Sequence, residues 1–191
     1  MRKAVVITDF DGTLVDTFEA NFLAYQEAFS KHGLSLSKET YKKCFGLRFP
    51  EFMDFVGVND ESIREKIKKT KKEVYPYYLG HVRLNYGLVS FMQMCKQNGV
   101  RIGIASTASI ENINNVLKRF NLEGVFDFIV SGEDVQHGKP DPEVYQKALC
   151  EASFNPHYTI APEAALVFED SETGIKAAIA AGIDYIKINK F

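Results

Sequence analysis

A doubly wound parallel α/β sheet carrying an all-helical insertion is the fold class predicted for this chain, on three observations. Several short apolar runs are nearly continuous rather than alternating, the pattern of strands buried on both faces. The later runs are separated by helical patterns, and strand, helix, strand alternation builds a parallel sheet through right-handed crossovers. After the first run comes a long stretch of amphipathic helical patterns with no convincing strand, which reads as an inserted helical module.

The strands are expected at residues 4–8, 101–105, 126–130, 165–168 and 185–188. Ser109 can cap a helix carrying Ile110, Ile113, Val116, Leu117 and Phe120. Asp141 and Pro142 supply an N-cap and a first-turn proline for a helix running through Ala152. Residues 172–181 are rich in alanine and end at Gly182, where a C-cap glycine belongs, and a further helix falls near residues 88–97. In the insertion, Phe18, Phe22, Tyr25 and Phe29 recur at helical steps, and Ile63, Ile67 and Val74 mark another helix. The expected division is a Rossmann-like core of residues 1–15 and 85–191 and a helical cap of residues 16–84, hinged near Val15-Asp16 and Asn85-Tyr86-Gly87. The aromatic stripe of the cap is core packing, and a helical lid over a sheet edge is also an arrangement that closes a site against water.

Composition narrows the function. A chain of 191 residues, 46% hydrophobic and 13% aromatic, can bury a sizeable core and is not a disordered segment. With 23 basic against 25 acidic residues the net charge is −2, so the sustained positive field of a nucleic-acid or anionic-membrane binder is absent and a small ligand is expected. The basic run of Arg64, Lys66, Lys68, Lys69, Lys71 and Lys72 is interleaved with Glu65 and Glu73 and reads as a solvated helix face. Cys44, Cys95 and Cys150 are far apart and form no C-x-x-C pair, which suits reduced core residues of a cytoplasmic protein. The apolar run of residues 4–7 after Met1-Arg2-Lys3 is too short for a leader, and no longer apolar stretch suggests a membrane span.

The chemistry concentrates at strand ends. In Asp9-Phe10-Asp11-Gly12-Thr13, side chains two apart on an extended strand point the same way, so both carboxylates can face one volume. At about 4 Å and an effective dielectric of about 20 their repulsion is on the order of 4 kcal/mol, which calls for a cation or a proton between them. Gly12 permits a sharp exit. Ser106-Thr107 follows the second strand and offers hydroxyls and N–H groups to phosphoryl oxygens; Lys139, within Lys139-Pro140-Asp141-Pro142, lies beyond the third. Glu169-Asp170-Ser171 ends the fourth, where two acids after an apolar run need a cationic partner. All fall on the carboxyl edge, where open α/β sheets collect ligands, and an oxygen-only donor set suits magnesium.

These segments, in this order, resemble the haloacid dehalogenase superfamily, in its branch with a helical cap after the first strand that includes beta-phosphoglucomutase-like and phosphoglycolate-phosphatase-like proteins. The resemblance spans nearly the whole chain: Asp9-Phe10-Asp11-Gly12-Thr13 fits the first motif, Ser106 the second, Lys139 in Gly138-Lys139-Pro140 the third, and Glu169-Asp170-Ser171 with Gly174 the fourth. It implies that Asp9 is a nucleophile and that Asp11 protonates the leaving oxygen and then activates water. It implies a Mg²⁺ held by Asp9, the Asp11 carbonyl and Asp170 with Glu169 close by, and phosphoryl contacts from Ser106 and Lys139. Asp11 argues for phosphate chemistry over dehalogenation. Asn21 stands near the place of a histidine found in mutase-like members, which favours a phosphatase over a phosphomutase, and Arg48 and Lys71 resemble cap residues that grip substrate. Relatives often continue past the last strand, so the resemblance also implies a trimmed end at Phe191. The expected activity is hydrolysis of a small phosphorylated metabolite, of sugar phosphate or phosphoglycolate type, through an aspartyl-phosphate on Asp9, with a phosphomutase as the alternative of the same chemistry; a non-catalytic binding or regulatory protein on the same scaffold is the reading from another class.

Overall fold

A computed structural model describes residues 3–153 and 159–189. Met1, Arg2 and Phe191, on which the leader and trimmed-end expectations bear, lie outside the described residues. The chain divides into two compact units, one of residues 1–16 and 84–191 and one of residues 17–83.

The first unit is built on a five-stranded parallel sheet of order β5-β4-β1-β6-β7, formed by β1 (Val5–Thr8), β4 (Arg101–Ala105), β5 (Phe128–Val130), β6 (Ala165–Glu169) and β7 (Asp184–Lys187). Val5, Val6 and Ile7 are buried, as a central strand covered on both faces requires. The register pairs Thr8 with Ile104 on one side and with Phe168 on the other, so β4 and β6 each end one residue beyond β1. The chain leaves β1 toward β4 on one flank and later returns to β6 on the other, which opens a crevice at the carboxyl end of β1.

Helices α5 (Tyr86–Gln97), α6 (Ile110–Arg119), α7 (Glu143–Glu151) and α8 (Glu172–Ala180) fill the connections. Ser109 and Ser171 cap α6 and α8, their hydroxyls accepting from the N–H groups of Asn112 and Gly174. Gly182, at φ +74°, closes the turn after α8. One core cluster gathers Val5, Ile7 and Val167 of the sheet with Val144, Tyr145 and Ala148 of α7 and Ala177 and Ala178 of α8.

Several expectations are corrected. Two short strands, β2 (Val15–Asp16) and β3 (Arg83–Leu84), lie where none was expected, because two residues are too few to leave a pattern. The third strand of the sheet begins at Phe128 instead of Phe126, since Asp127 uses its carboxylate to accept the Ile102 N–H at 2.8 Å and pairs with Lys96 at 2.9 Å. Pro142 occupies the cap position of α7, with the Asp141 carboxylate accepting the Glu143 N–H at 2.9 Å. All four residues of β7, at the edge of the sheet beside β6, are exposed, contrary to a buried strand, whereas the other edge strand, β5, has Phe128 and Val130 buried. Of the cysteines, none of which is in a disulfide, Cys44 is buried, Cys95 half-buried and Cys150 exposed, so the core reading holds for Cys44 only.

The second unit contains α1 (Phe18–Lys31), α2 (Lys38–Cys44), α3 (Phe49–Phe55) and α4 (Glu61–Val74), followed by a 3₁₀ turn, Tyr75–His81. Tyr41 is its hub, with ring centroids 5.4–5.9 Å from Phe18, Phe22, Tyr25, Phe45 and Phe52. Lys66, Lys68, Lys69 and Lys72 are exposed as expected of a solvated face, but Lys71 is buried beside Ile67 and Val74 and Arg64 is half-buried, donating to the Val58 carbonyl at 2.6 Å. No helix among the described residues is long and apolar enough to cross a membrane.

Gly103 of β4 lies against β5, and a Cβ there would meet the Phe128 ring at 2.2 Å. Gly103→Ala should lower stability by about 1–3 kcal/mol in urea unfolding. Combining it with Phe128→Leu should cost less than the two single changes added together; a Gly103→Ala chain as stable as the parent contradicts the packing.

Candidate active site

The strand β1 stops at Thr8, and Asp9 begins a loop while its N–H still donates to the Phe168 carbonyl at 2.9 Å. Residues 10–15 then fold back: the N–H groups of Leu14 and Val15 both donate to the Phe10 carbonyl, and Gly12 adopts φ +94°. Asp11 therefore sits in a turn, bridged to Val15. The carboxylates that crowd Asp9 are those of Glu169 and Asp170 from the end of β6.

Lys139 organises the site. Its side chain is only 5% exposed, and its ammonium donates to Asp9 Oδ1 at 2.6 Å, to Glu169 Oε2 at 2.8 Å and to the Ala105 carbonyl at 3.3 Å. A lysine before proline is ordinarily a surface residue; here the loop after β5 turns it inward beneath the tips of β1, β4 and β6. Burial alone would lower its pKa, but Asp9, Tyr145 and Glu169 outweigh that and hold it well above the ordinary lysine value.

Glu169 receives donors on both oxygens. Lys139 and the Tyr145 hydroxyl, at 2.6 Å, reach Oε2, while the Ser171 hydroxyl and the N–H groups of Asp170 and Ser171 reach Oε1 at 2.9–3.2 Å. Burial opposes its ionisation, but the charge of Lys139 and these hydrogen bonds keep its carboxyl below the usual range. Tyr145 and Thr13 escaped the sequence reading as site residues. Tyr145 belongs to an apolar helix face that signals only core packing, and Thr13 Oγ1 donates to Asp170 Oδ1 at 3.0 Å.

Asp9, Glu169 and Asp170 offer oxygens within 4.8 Å of one another. Burial and the charges of Glu169 and Asp170 push the Asp9 carboxyl well above its ordinary pKa despite Lys139, and burial raises Asp170 as well. Three carboxylates against one ammonium leave surplus negative charge, so a divalent cation bound by oxygen ligands fits this donor set. Of the other residues singled out in the sequence, Ser106 is buried at the end of β4, its hydroxyl accepting the Ala108 N–H at 3.1 Å, and Thr107 follows it half-buried. Asn21, Arg48 and Lys71 belong to the helical unit: Asn21 is buried on α1, Arg48 precedes α3, and the Lys71 ammonium lies 3.9 Å from the Tyr75 ring centroid and 5.3 Å from that of Tyr25.

The profile of the haloacid dehalogenase-like hydrolase family matches residues 6–188. A phosphorylated carbohydrates phosphatase of Thermotoga maritima is 30% identical, over 95% of this chain and 82% of that protein. Protein CbbY of Rhodobacter capsulatus is 31% identical over 96% of this chain and 84% of its own. Among solved structures, CbbY from Rhodobacter sphaeroides in complex with phosphate superposes with a TM-score of 0.87 at 26% identity, covering 99% of this chain and 87% of that one.

A Cβ on Gly12 would meet Asp170 Oδ2 at 2.4 Å, in a backbone conformation that already disfavours a side chain. Gly12→Ala should destabilise the fold by about 2 kcal/mol or more in urea unfolding; an unchanged midpoint contradicts this close approach.

Proposed function

The chain belongs to the haloacid dehalogenase-like hydrolase family and is a phosphoric monoester hydrolase, and from that premise we propose that it uses Mg²⁺ to hydrolyse a small phosphorylated carbohydrate through a phosphoryl group carried on Asp9. The observation that carries the reading is the Lys139 ammonium lying between Asp9 and Glu169, with Asp170 beside them. The carbohydrate class is supported by the name of the Thermotoga relative.

In this reading an Asp9 carboxylate oxygen attacks phosphorus, and the bond from phosphorus to the ester oxygen breaks. Asp11 gives its proton to the departing alkoxide. A water then attacks the phosphoryl group on Asp9 while Asp11 takes back a proton, the Asp9 ester bond breaks, and inorganic phosphate leaves. Bound Mg²⁺, held by Asp9, the Asp11 carbonyl and Asp170, would supply the positive charge that lets an anionic nucleophile meet an anionic ester. Lys139 and Ser106, with the N–H groups that follow β4, would receive the phosphoryl oxygens and the charge that builds on them. Glu169 keeps the ammonium of Lys139 in place.

A panel of phosphorylated sugars and other small phosphomonoesters, assayed for inorganic phosphate with and without Mg²⁺, tests the proposal. Release should require Mg²⁺, stop with EDTA and return when Mg²⁺ is restored. Asp9→Asn should abolish turnover, and Asp11→Asn should slow it by about 10²- to 10⁴-fold. No release from any member of the panel, or full activity in Asp9→Asn, would overturn the reading.

A further inference from the structure

Tyr145 is wholly buried on α7, yet its hydroxyl is directed at a charge instead of being left to the apolar face around it. It donates to Glu169 Oε2 at 2.6 Å, the same oxygen that accepts Lys139 Nζ at 2.8 Å, and its ring centroid lies 4.9 Å from that nitrogen. The geometry points to Tyr145 as a positioning residue that fixes Glu169 and, through it, the ammonium of Lys139 against Asp9. The inference rests on the phosphate-transfer reading above for its catalytic consequence, while the contacts themselves stand apart from that reading.

Two features give the contact its effect. The other oxygen of Glu169 is already held by the Ser171 hydroxyl and the N–H groups of Asp170 and Ser171, so the Tyr145 bond completes the immobilisation of the carboxylate. A Cβ on Gly174 would meet this carboxylate at 2.0 Å, so the packing beside it leaves no slack. Lys139 in turn has three acceptors for its three protons: Asp9 Oδ1, Glu169 Oε2 and the Ala105 carbonyl. When a phosphoryl group enters at Asp9, the proton facing Asp9 is the one that can turn to a phosphoryl oxygen. The bonds to Glu169 and Ala105 keep the ammonium from following it.

Without the Tyr145 hydroxyl, Lys139 becomes the sole donor to Glu169 Oε2 in this set and is drawn toward it. The loss should fall on the charge that develops during transfer and leave ground-state binding nearly untouched.

Tyr145→Phe keeps the ring and its packing and removes only the hydroxyl. Its kcat should fall about tenfold with KM within about twofold, the size expected for one hydrogen bond to a charged group. In a double-mutant cycle with Glu169→Gln, the effect of Tyr145→Phe should largely disappear, because the hydroxyl acts through that carboxylate. Independently of turnover, the Lys139 ammonium signal in proton–nitrogen correlation NMR of the uncomplexed protein should shift or broaden in Tyr145→Phe. A lowered melting temperature with unchanged kcat and an unchanged Lys139 signal would reduce Tyr145 to core packing and overturn the inference, as would additive effects with Glu169→Gln. If the parent protein releases phosphate from no monoester, the phosphatase reading fails while the NMR signal still decides the positioning role: a shift upholds it and an unchanged signal removes it.

Discussion

The site depends on one buried ammonium that is shared by carboxylates from two strands. Removing a lysine from water costs several kcal/mol after relaxation, and the cost is offset only when geometry and hydrogen bonding are good. Here the offset comes from Asp9 after β1, Glu169 at the end of β6 and the Ala105 carbonyl at the end of β4, all within 3.3 Å. The same contacts therefore tie the carboxyl ends of the three central strands to the loop that follows β5. The requirement that keeps Lys139 charged in the interior also aligns the proposed nucleophile Asp9, the carboxylates proposed to hold a cation and the loop after β4 proposed to receive phosphoryl oxygens.

The crowding around this pair is enforced by glycines. Gly12 leaves room for Asp170, Gly174 for Glu169, and at Gly132 a Cβ would meet the Thr107 carbonyl at 2.2 Å. Each contact brings backbone or carboxylate closer than any side chain would permit, and together they leave the polar groups little freedom to relax. A site whose dipoles and charges are already in position needs no reorganisation when charge develops on a phosphoryl group. Surplus negative charge among Asp9, Glu169 and Asp170 is the counterpart of that rigidity, and it is what a divalent cation would offset.

Much of this was legible in the sequence, and what was not has physical reasons. Continuous apolar runs located the strands of the sheet because burial on both faces leaves no room for alternation, and acids or hydroxyls directly after those runs marked the carboxyl edge. Periodicity reports burial and does not report partners. It therefore could not separate Tyr145, whose hydroxyl meets Glu169, from its apolar neighbours Val144 and Ala148, or Lys71, packed over Tyr75, from the solvated lysines beside it. It also treated the edge strand β7 like the interior strands, because Tyr185 and Ile186 are apolar whether or not anything covers them. The turn that carries Asp11 was not legible, because it is made by N–H groups of Leu14 and Val15 returning to Phe10, a backbone event that no side-chain pattern announces.

The Lys139 charge is what makes the two buried carboxylates of Asp9 and Glu169 tolerable side by side. Unfolding of Lys139→Met by urea in metal-free buffer measures it directly. A loss of about 3–5 kcal/mol relative to the parent is the predicted result, since one partner of a buried ionic group would be removed and the others left uncompensated. A Lys139→Met protein within about 1 kcal/mol of the parent, the range of an exposed ion pair, would contradict it.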